Sequence, residues 1–336
     1  MVGIMIGARY LQNDFFLATR GFARHYTSNA NATTVSVKEY LKEPAKLIAI
    51  PVTNKRIYIY HKHTSDILND SSRIIRFERW INKKSARIWD KLNQSPKSYN
   101  KKIVSYVNRL LDNTPWTENS LKSIPGENYI LKRVTTSSDK ESHLTLAQFA
   151  RSQTPLTSKP LSVYYPSKSM TRDSVLLELR KLCIAGMKYH KKQLWLCLLG
   201  LPLTLPVVLV PLIPNVPGFY LTYRAYSNFK ALLGARHLQT ILDDQTPPLT
   251  FRDVKGYSEI VSESNTITDS EDQASNSKER LILNERLMSR IVDVLEIQEL
   301  KSDLEKVIRQ ERKRLQLEPE TQPHPSHQDN VDTKRK

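Results

Sequence analysis

The chain has 336 residues, room for two modest domains, and 39% of them are hydrophobic, short of the roughly 45–50% usual in packed globular domains, so part of the chain is expected to lie outside any core. Lysine and arginine outnumber aspartate and glutamate by 51 to 34, which points to anionic partners such as lipid, RNA or an acidic protein and says nothing of fold. Cys183 and Cys197 have no CxxC pairing and no histidine cluster beside them, which argues against a disulfide framework and a zinc site.

From Met1 to Lys38 the one acidic residue is Asp14, against Arg9, Arg20, Arg24 and Lys38, and Leu11, Phe15, Phe16 and Leu17 supply an apolar helix face. This arginine-bearing, acid-poor pattern predicts a mitochondrial transit peptide over residues 1–30, cut after Tyr26.

Residues 45–133 read as an α+β region. The β-rich runs Leu47–Val52 and Arg56–Tyr60 flank Thr53-Asn54-Lys55 and predict a hairpin. A helix follows from Ser72 to Leu92, with Ile74, Ile75, Phe77, Trp80, Ile81, Ile88, Trp89 and Leu92 on one face and arginines and lysines on the other. That face either packs on a core or lies on an anionic membrane surface. A second helix is expected over Tyr99–Leu111. Residues 134–160, rich in serine and threonine, read as a linker. Leu161–Tyr165 then reads as a strand stopped by Pro166, and Thr171 as the cap of a helix whose stripe Val175, Leu179, Leu182, Cys183 and Gly186 leads into an uncharged run.

That run, Leu194–Tyr223, lies in a membrane-associated region spanning 161–245. Its 30 residues exceed the roughly 20 needed to cross a bilayer and fall short of two crossings. Pro202, Pro206, Pro211, Pro214 and Pro217 break a straight helix, so one kinked span, a shallow re-entrant hairpin or a proline-broken core hairpin remain. No acidic residue occurs between Leu179 and Leu242, whereas Lys188, Lys191, Lys192, Arg224 and Lys230 bracket the run, which suits anionic headgroups. Further on, residues 258–277 read as a disordered acidic linker and 318–336 as a disordered tail. Between them, residues 278–317 form an amphipathic helix. Leu283, Leu287, Arg290, Val294, Ile297, Lys301, Leu304, Ile308, Glu311 and Leu315 fall at alternating spacings of four and three, with coiled-coil character, and three charged seam positions interrupt the repeat, so the helix either meets a partner or packs on its own domain. The expected fold class is mainly α with a small N-terminal β-hairpin, one proline-broken transmembrane or re-entrant segment and a C-terminal coiled-coil-like helix.

Over Leu205–Leu242 the chain resembles the fungal mitochondrial potassium–proton exchange-related family. The matching positions are Pro211, Pro214, Asn215, Pro217, Tyr220, Arg224, Ala225, Tyr226, Ser227, Lys230, Ala231 and Gly234. Trp116, Glu118 and Pro125, within Leu111–Pro125, are similar to a second family block, and the resemblance covers about residues 45 to 242 without the linker. It implies an inner-membrane protein connected with potassium and proton homeostasis and no enzyme chemistry. The expected role is an accessory of exchange, with Arg224 anchoring lipid headgroups and Pro211, Pro214, Asn215 and Pro217 shaping a broken helix that meets a partner. Inner-membrane lipid is the first expected partner, with self-association or a protein partner through Leu283–Leu315. The alternative is a membrane-tethered protein binding the mitochondrial ribosome; no DNA partner is expected. GxSxG, P-loop and HExxH patterns are absent, and no catalytic, cofactor-binding or metal-ligating residues are assigned.

Overall fold

The computed structural model describes residues 32–69, 73–135, 141–151, 157–158, 160–208, 216–243, 249–269 and 279–317, so the expected transit peptide and C-terminal tail lie outside the described residues. A short strand β1 (Thr33–Val35) leads into helix α1 (Val37–Lys42), whose cap, Ser36, accepts from the Glu39 amide at 3.2 Å. The expected hairpin is present as β2 (Ala45–Pro51) and β3 (Ile57–His63), antiparallel, with Thr53 Oγ1 accepting from the Lys55 and Arg56 amides in the turn. Helices α2 (Arg73–Asn93) and α3 (Ser98–Asp112) agree with the expected amphipathic pair, and α4 (Trp116–Ser123) follows.

The span read as a linker instead carries β4 (Lys132–Thr135), β5 (Glu141–Leu144), α5 (Leu146–Arg151) and β6 (Thr157–Ser158). These strands form a separate antiparallel sheet in the order β5-β4-β6. They are too short to show period-two alternation in sequence, and backbone pairing defines them. Strand β7 (Ser162–Tyr164) precedes the long helix α6 (Arg172–Gly200), which Thr171 caps as expected, accepting from the Ser174 amide. A 3₁₀ turn at Pro202–Thr204 and helix α7 (Leu205–Val208) lead toward the long helix α8 (Val216–Asp243), then β8 (Thr250–Val254), α9 (Tyr257–Asp269), α10 (Glu285–Val294) and α11 (Lys301–Leu315).

The fold is mainly helical around a five-stranded sheet of order β1-β8-β7-β2-β3, parallel except for β3, so the N-terminal hairpin is one edge of a larger sheet. Strand β2 is buried from end to end and feeds two cores. Ile48 and Ile50 point with Tyr58, Tyr164 and Val254 to one face; Leu47 and Ala49 point with Ile57, Ile59 and Val163 to the other. A strand covered on both faces must be apolar on both, which explains its unbroken hydrophobic run.

The first face is closed by α9, α10 and α11 through Tyr257, Val261, Leu287, Ile291, Leu304 and Ile308. Two expectations change here. The acidic span is helical over α9 because Tyr257, Ile260 and Val261 form an apolar stripe that packs inward, while Glu259 faces out to Lys168 at 2.7 Å. The single coiled-coil-like helix is two helices, broken where Glu296 adopts positive φ, and Leu283, Leu287, Leu304 and Ile308 are spent in the chain's own core.

The second face is closed by the bases of α6 and α8, through Val175, Leu179, Cys183 and Leu238. These helices run antiparallel, with Gly186 against Ala235, His190 against Asn228 and Gly200 against Leu221. The uncharged run is shared between their far ends: Leu194–Gly200 finishes α6 and Val216–Tyr223 begins α8. Each arm covers only ~10 Å at ~1.5 Å per residue, against a hydrocarbon core of ~30 Å. Among the described residues no helix is long and apolar enough to cross a membrane, so the transmembrane form of the expected segment finds no support there, and its described parts lie on the two arms of a helical hairpin. Helix α4 crosses this hairpin at its two interior glycines. A Cβ on Gly234 would stand 2.0 Å from the Leu121 carbonyl oxygen and 2.7 Å from that of Ile124, both backbone atoms that cannot swing away. Replacement Gly234→Ala is therefore expected to destabilise the protein by roughly 1–3 kcal/mol through forced displacement of α4, read as a lower midpoint in thermal or urea unfolding.

Candidate functional site

Helix α4 is short because prolines bound it. Pro115 sits at its N-terminus, and Ile124, held extended ahead of Pro125, ends it. Along one side its serines occupy the outer edge of β3. Ser120 Oγ donates to the Ile59 carbonyl (2.6 Å) and accepts from the Ile59 amide (3.1 Å), and Ser123 Oγ accepts from the His61 amide (3.0 Å). Side-chain groups thus satisfy an edge that would otherwise invite another strand.

Toward the hairpin, α4 presents Glu118, which is 1% exposed. Arg224 of α8 grips it with two parallel bonds, Nη1 to Oε1 at 2.7 Å and Nη2 to Oε2 at 2.8 Å, and Ser227 Oγ donates to Oε1 at 2.5 Å. Asn228 donates to the Arg224 carbonyl at 2.7 Å, and its Oδ1 meets His190 Nδ1 of α6 at 2.8 Å. One hydrogen-bonded network therefore joins α4, α8 and α6. Burial alone would push the Glu118 carboxyl up; the Arg224 and Ser227 donors outweigh it and hold the group below its ordinary range. Burial lowers His190, only partly opposed by the Asn228 bond, which favours a neutral ring.

The remaining signature side chains converge on the same crossing. Tyr226 and Lys230 of α8 both donate to Glu78 Oε1 of α2 at 2.7 Å, and Lys230 also lies 5.2 Å from the Tyr129 ring. His237 Nδ1 donates to the Pro125 carbonyl at 2.6 Å. Trp116 Nε1 donates to Glu311 of α11 at 2.6 Å, and the same carboxylate receives Arg56 of the β2–β3 turn and Arg314. Arg224, expected as a headgroup anchor, is buried and committed to Glu118, because two carboxylate oxygens in a dry site bind a guanidinium fork more firmly than a mobile headgroup does. Tyr220 is half-buried near the hairpin tip. Pro217 is exposed at the second position of α8, where a missing amide hydrogen costs nothing; Pro211, Pro214 and Asn215 lie outside the described residues.

A family model described as mitochondrial K+-H+ exchange-related matches residues 46–242, which include α2, α4 and both arms of the hairpin. The chain belongs to the mitochondrial K+–H+ exchange-related family. An uncharacterized protein of Saccharomyces cerevisiae is 49% identical over 281 residues, covering 83% of this chain and 88% of the relative. An uncharacterized protein of Schizosaccharomyces pombe is 34% identical over 198 residues, covering 59% and 75%. No solved structure matches the chain.

In this member of the K+–H+ exchange-related family the signature builds a clamp: it fixes the angle between the helical hairpin and the sheet. Sequence reasoning missed Glu78, Arg56, His190, Asn228 and Glu311, the partners of the residues it did single out. Glu78 carried a signal, as one of two acids in an otherwise basic helix, whereas Glu311 read as an interruption of a seam. Among the described residues no group of three or more His, Cys, Asp or Glu is placed to hold a metal ion. Both cysteines are free and buried, and burial pushes the Cys183 thiol up to about 12.

Removing one member of a buried pair leaves the other charge stranded. Arg224→Met is expected to cost about 3–5 kcal/mol, and Glu118→Leu combined with it to recover most of that loss, in urea unfolding of the single and double variants. Because the folded Glu118 carboxyl titrates below its unfolded value, its contribution is present above the unfolded value and is lost as pH falls through the folded one. The stability gap between the protein and the double variant is therefore expected to narrow on acidification.

Proposed function

We propose that the protein is a component of potassium–proton exchange at the mitochondrial inner membrane and acts by binding and holding rather than by chemistry of its own. The observation that carries this reading is the family match over residues 46–242, which coincides with the clamped hairpin. In the clamp, Glu118 has both oxygens taken by donors and Arg224 is committed to it, so neither side chain is open to relay a proton or a cation. That favours an accessory over a self-contained exchanger. On this reading Pro214 and Asn215, which come before α8 in the sequence and belong to the family pattern, meet the partner that conducts.

A second reading, a matrix-facing protein bound to the mitochondrial ribosome or another acidic assembly, is favoured by the exposed Arg76, Arg79, Lys83, Lys84 and Arg87 along α2. Salt-sensitive co-sedimentation with ribosomes would support it.

Passive swelling of non-respiring mitochondria in potassium acetate separates the two. Without the protein, swelling is expected to fail and nigericin to restore it. A Pro214→Ala/Asn215→Ala variant that accumulates normally is expected not to restore swelling. Normal swelling in the protein's absence would favour the second reading.

A further inference from the structure

The hairpin tip is dressed for a solvent other than water. Trp195 (58% exposed), Leu199 (68%), Leu203 (81%), Leu205 (63%) and Phe219 (71%) stand outward together around the end of α6, the turn and the start of α8. Large apolar side chains exposed in this number on adjoining elements of a folded body mark a docking site. The polar atoms beside it are turned inward: Thr204 Oγ1 donates to the Leu201 carbonyl and Thr222 Oγ1 to the Gly218 carbonyl, each at 2.8 Å, so neither hydroxyl asks for water.

The level just behind the tip has the opposite character. Lys191 and Lys192 are exposed one turn before Trp195 on α6. No acidic residue occurs on the hairpin between Leu179 and Leu242. Along α6 the order is an apolar end and then cations one turn behind it, which is the order of acyl chain and anionic headgroup in one leaflet. Among the described residues each arm reaches ~10 Å, within the depth that interfacial helices reach.

We propose that the apolar ends of α6 and α8, with α7, sink into a single leaflet of an anionic bilayer, with Trp195, Leu199, Leu203, Leu205 and Phe219 among the acyl chains and Lys191 and Lys192 on the headgroups. The body then stays wholly on one side, and both flanks of the hairpin face the same compartment. This deepens the membrane placement proposed above by naming the lipid as the occupant of the tip.

The test is flotation of the purified full chain on phosphatidylcholine vesicles with and without phosphatidylglycerol. The protein is expected to float with the anionic vesicles and weakly with the neutral ones. A Leu199→Asp/Leu203→Asp/Phe219→Asp variant, altered only at exposed positions, is expected to keep its unfolding midpoint and lose vesicle affinity by about tenfold or more, since burying even one such side chain exceeds the tenfold step. Lys191→Glu/Lys192→Glu is expected to weaken binding to the anionic vesicles alone. Flotation that survives the triple Asp change overturns the proposal. So does a protein that stays off vesicles but forms a dimer dispersed by that change in light scattering, because a second copy then covers the tip. Flotation reads lipid binding alone, so its failure leaves the swelling result standing, and a failed swelling assay leaves the flotation result standing.

Discussion

Where Glu118 meets Arg224, three helices cross, and each depends on the others being in place. The carboxylate enters on α4, the guanidinium on α8, and α6 joins through His190 and Asn228. A charge pair this dry adds little net stability over a well-packed apolar substitute, and its use is geometric: each partner is costly in every arrangement but one. Because α4 is also bonded to the β3 edge through Ser120 and Ser123, that one arrangement sets the hairpin relative to the sheet. The glycines at 186 and 234 bring the helices close enough for the pair to form, so the family signature combines small residues with a buried ion pair.

The clamp also explains why signature residues that look like a lipid or ion site are nothing of the kind. Tyr226 and Lys230 are spent on Glu78, and Trp116 on Glu311. What the hairpin leaves exposed at its described far end is apolar, with Lys191 and Lys192 one turn behind. Stiffness in the base and apolarity at the end complement each other, since a mobile hairpin with that surface would fold back and bury it on its own core.

Elements with strong local periodicity were legible in the sequence. The β2–β3 hairpin followed from its β-branched run and turn, α2 and α3 from their apolar stripes, and the start of α6 from Thr171. Strands β1 and β8 were not: Thr250-Phe251-Arg252-Asp253-Val254 alternates weakly, and its place between β1 and β7 is fixed by partners far away in the chain. The C-terminal heptads misled because a seam that packs on a sheet and a seam that packs on another helix need the same leucines. The site was half legible: the family resemblance named Glu118, Arg224 and Ser227 together and Tyr226, Lys230 and Trp116 without their partners, while Glu78 shows only as one of two acids in a basic helix and Asn228 and Glu311 have no local pattern that distinguishes them from surface polar residues.

Sheet order has a consequence in time. The apolar hairpin Ala45–His63 is among the first parts of the chain to be made, yet its neighbours β7 and β8 come after residue 160, and the helices that cover its first face end near residue 315. Closure of this core therefore waits for nearly the whole described chain, the situation in which folding is slow and unpaired strands are open to wrong partners. Glu311, reaching back to Arg56 and Trp116, fastens the last helix to the first hairpin. A chain interrupted before that helix keeps its signature but leaves the first face of its central strand partly uncovered, the kind of exposed apolar surface from which misfolding starts.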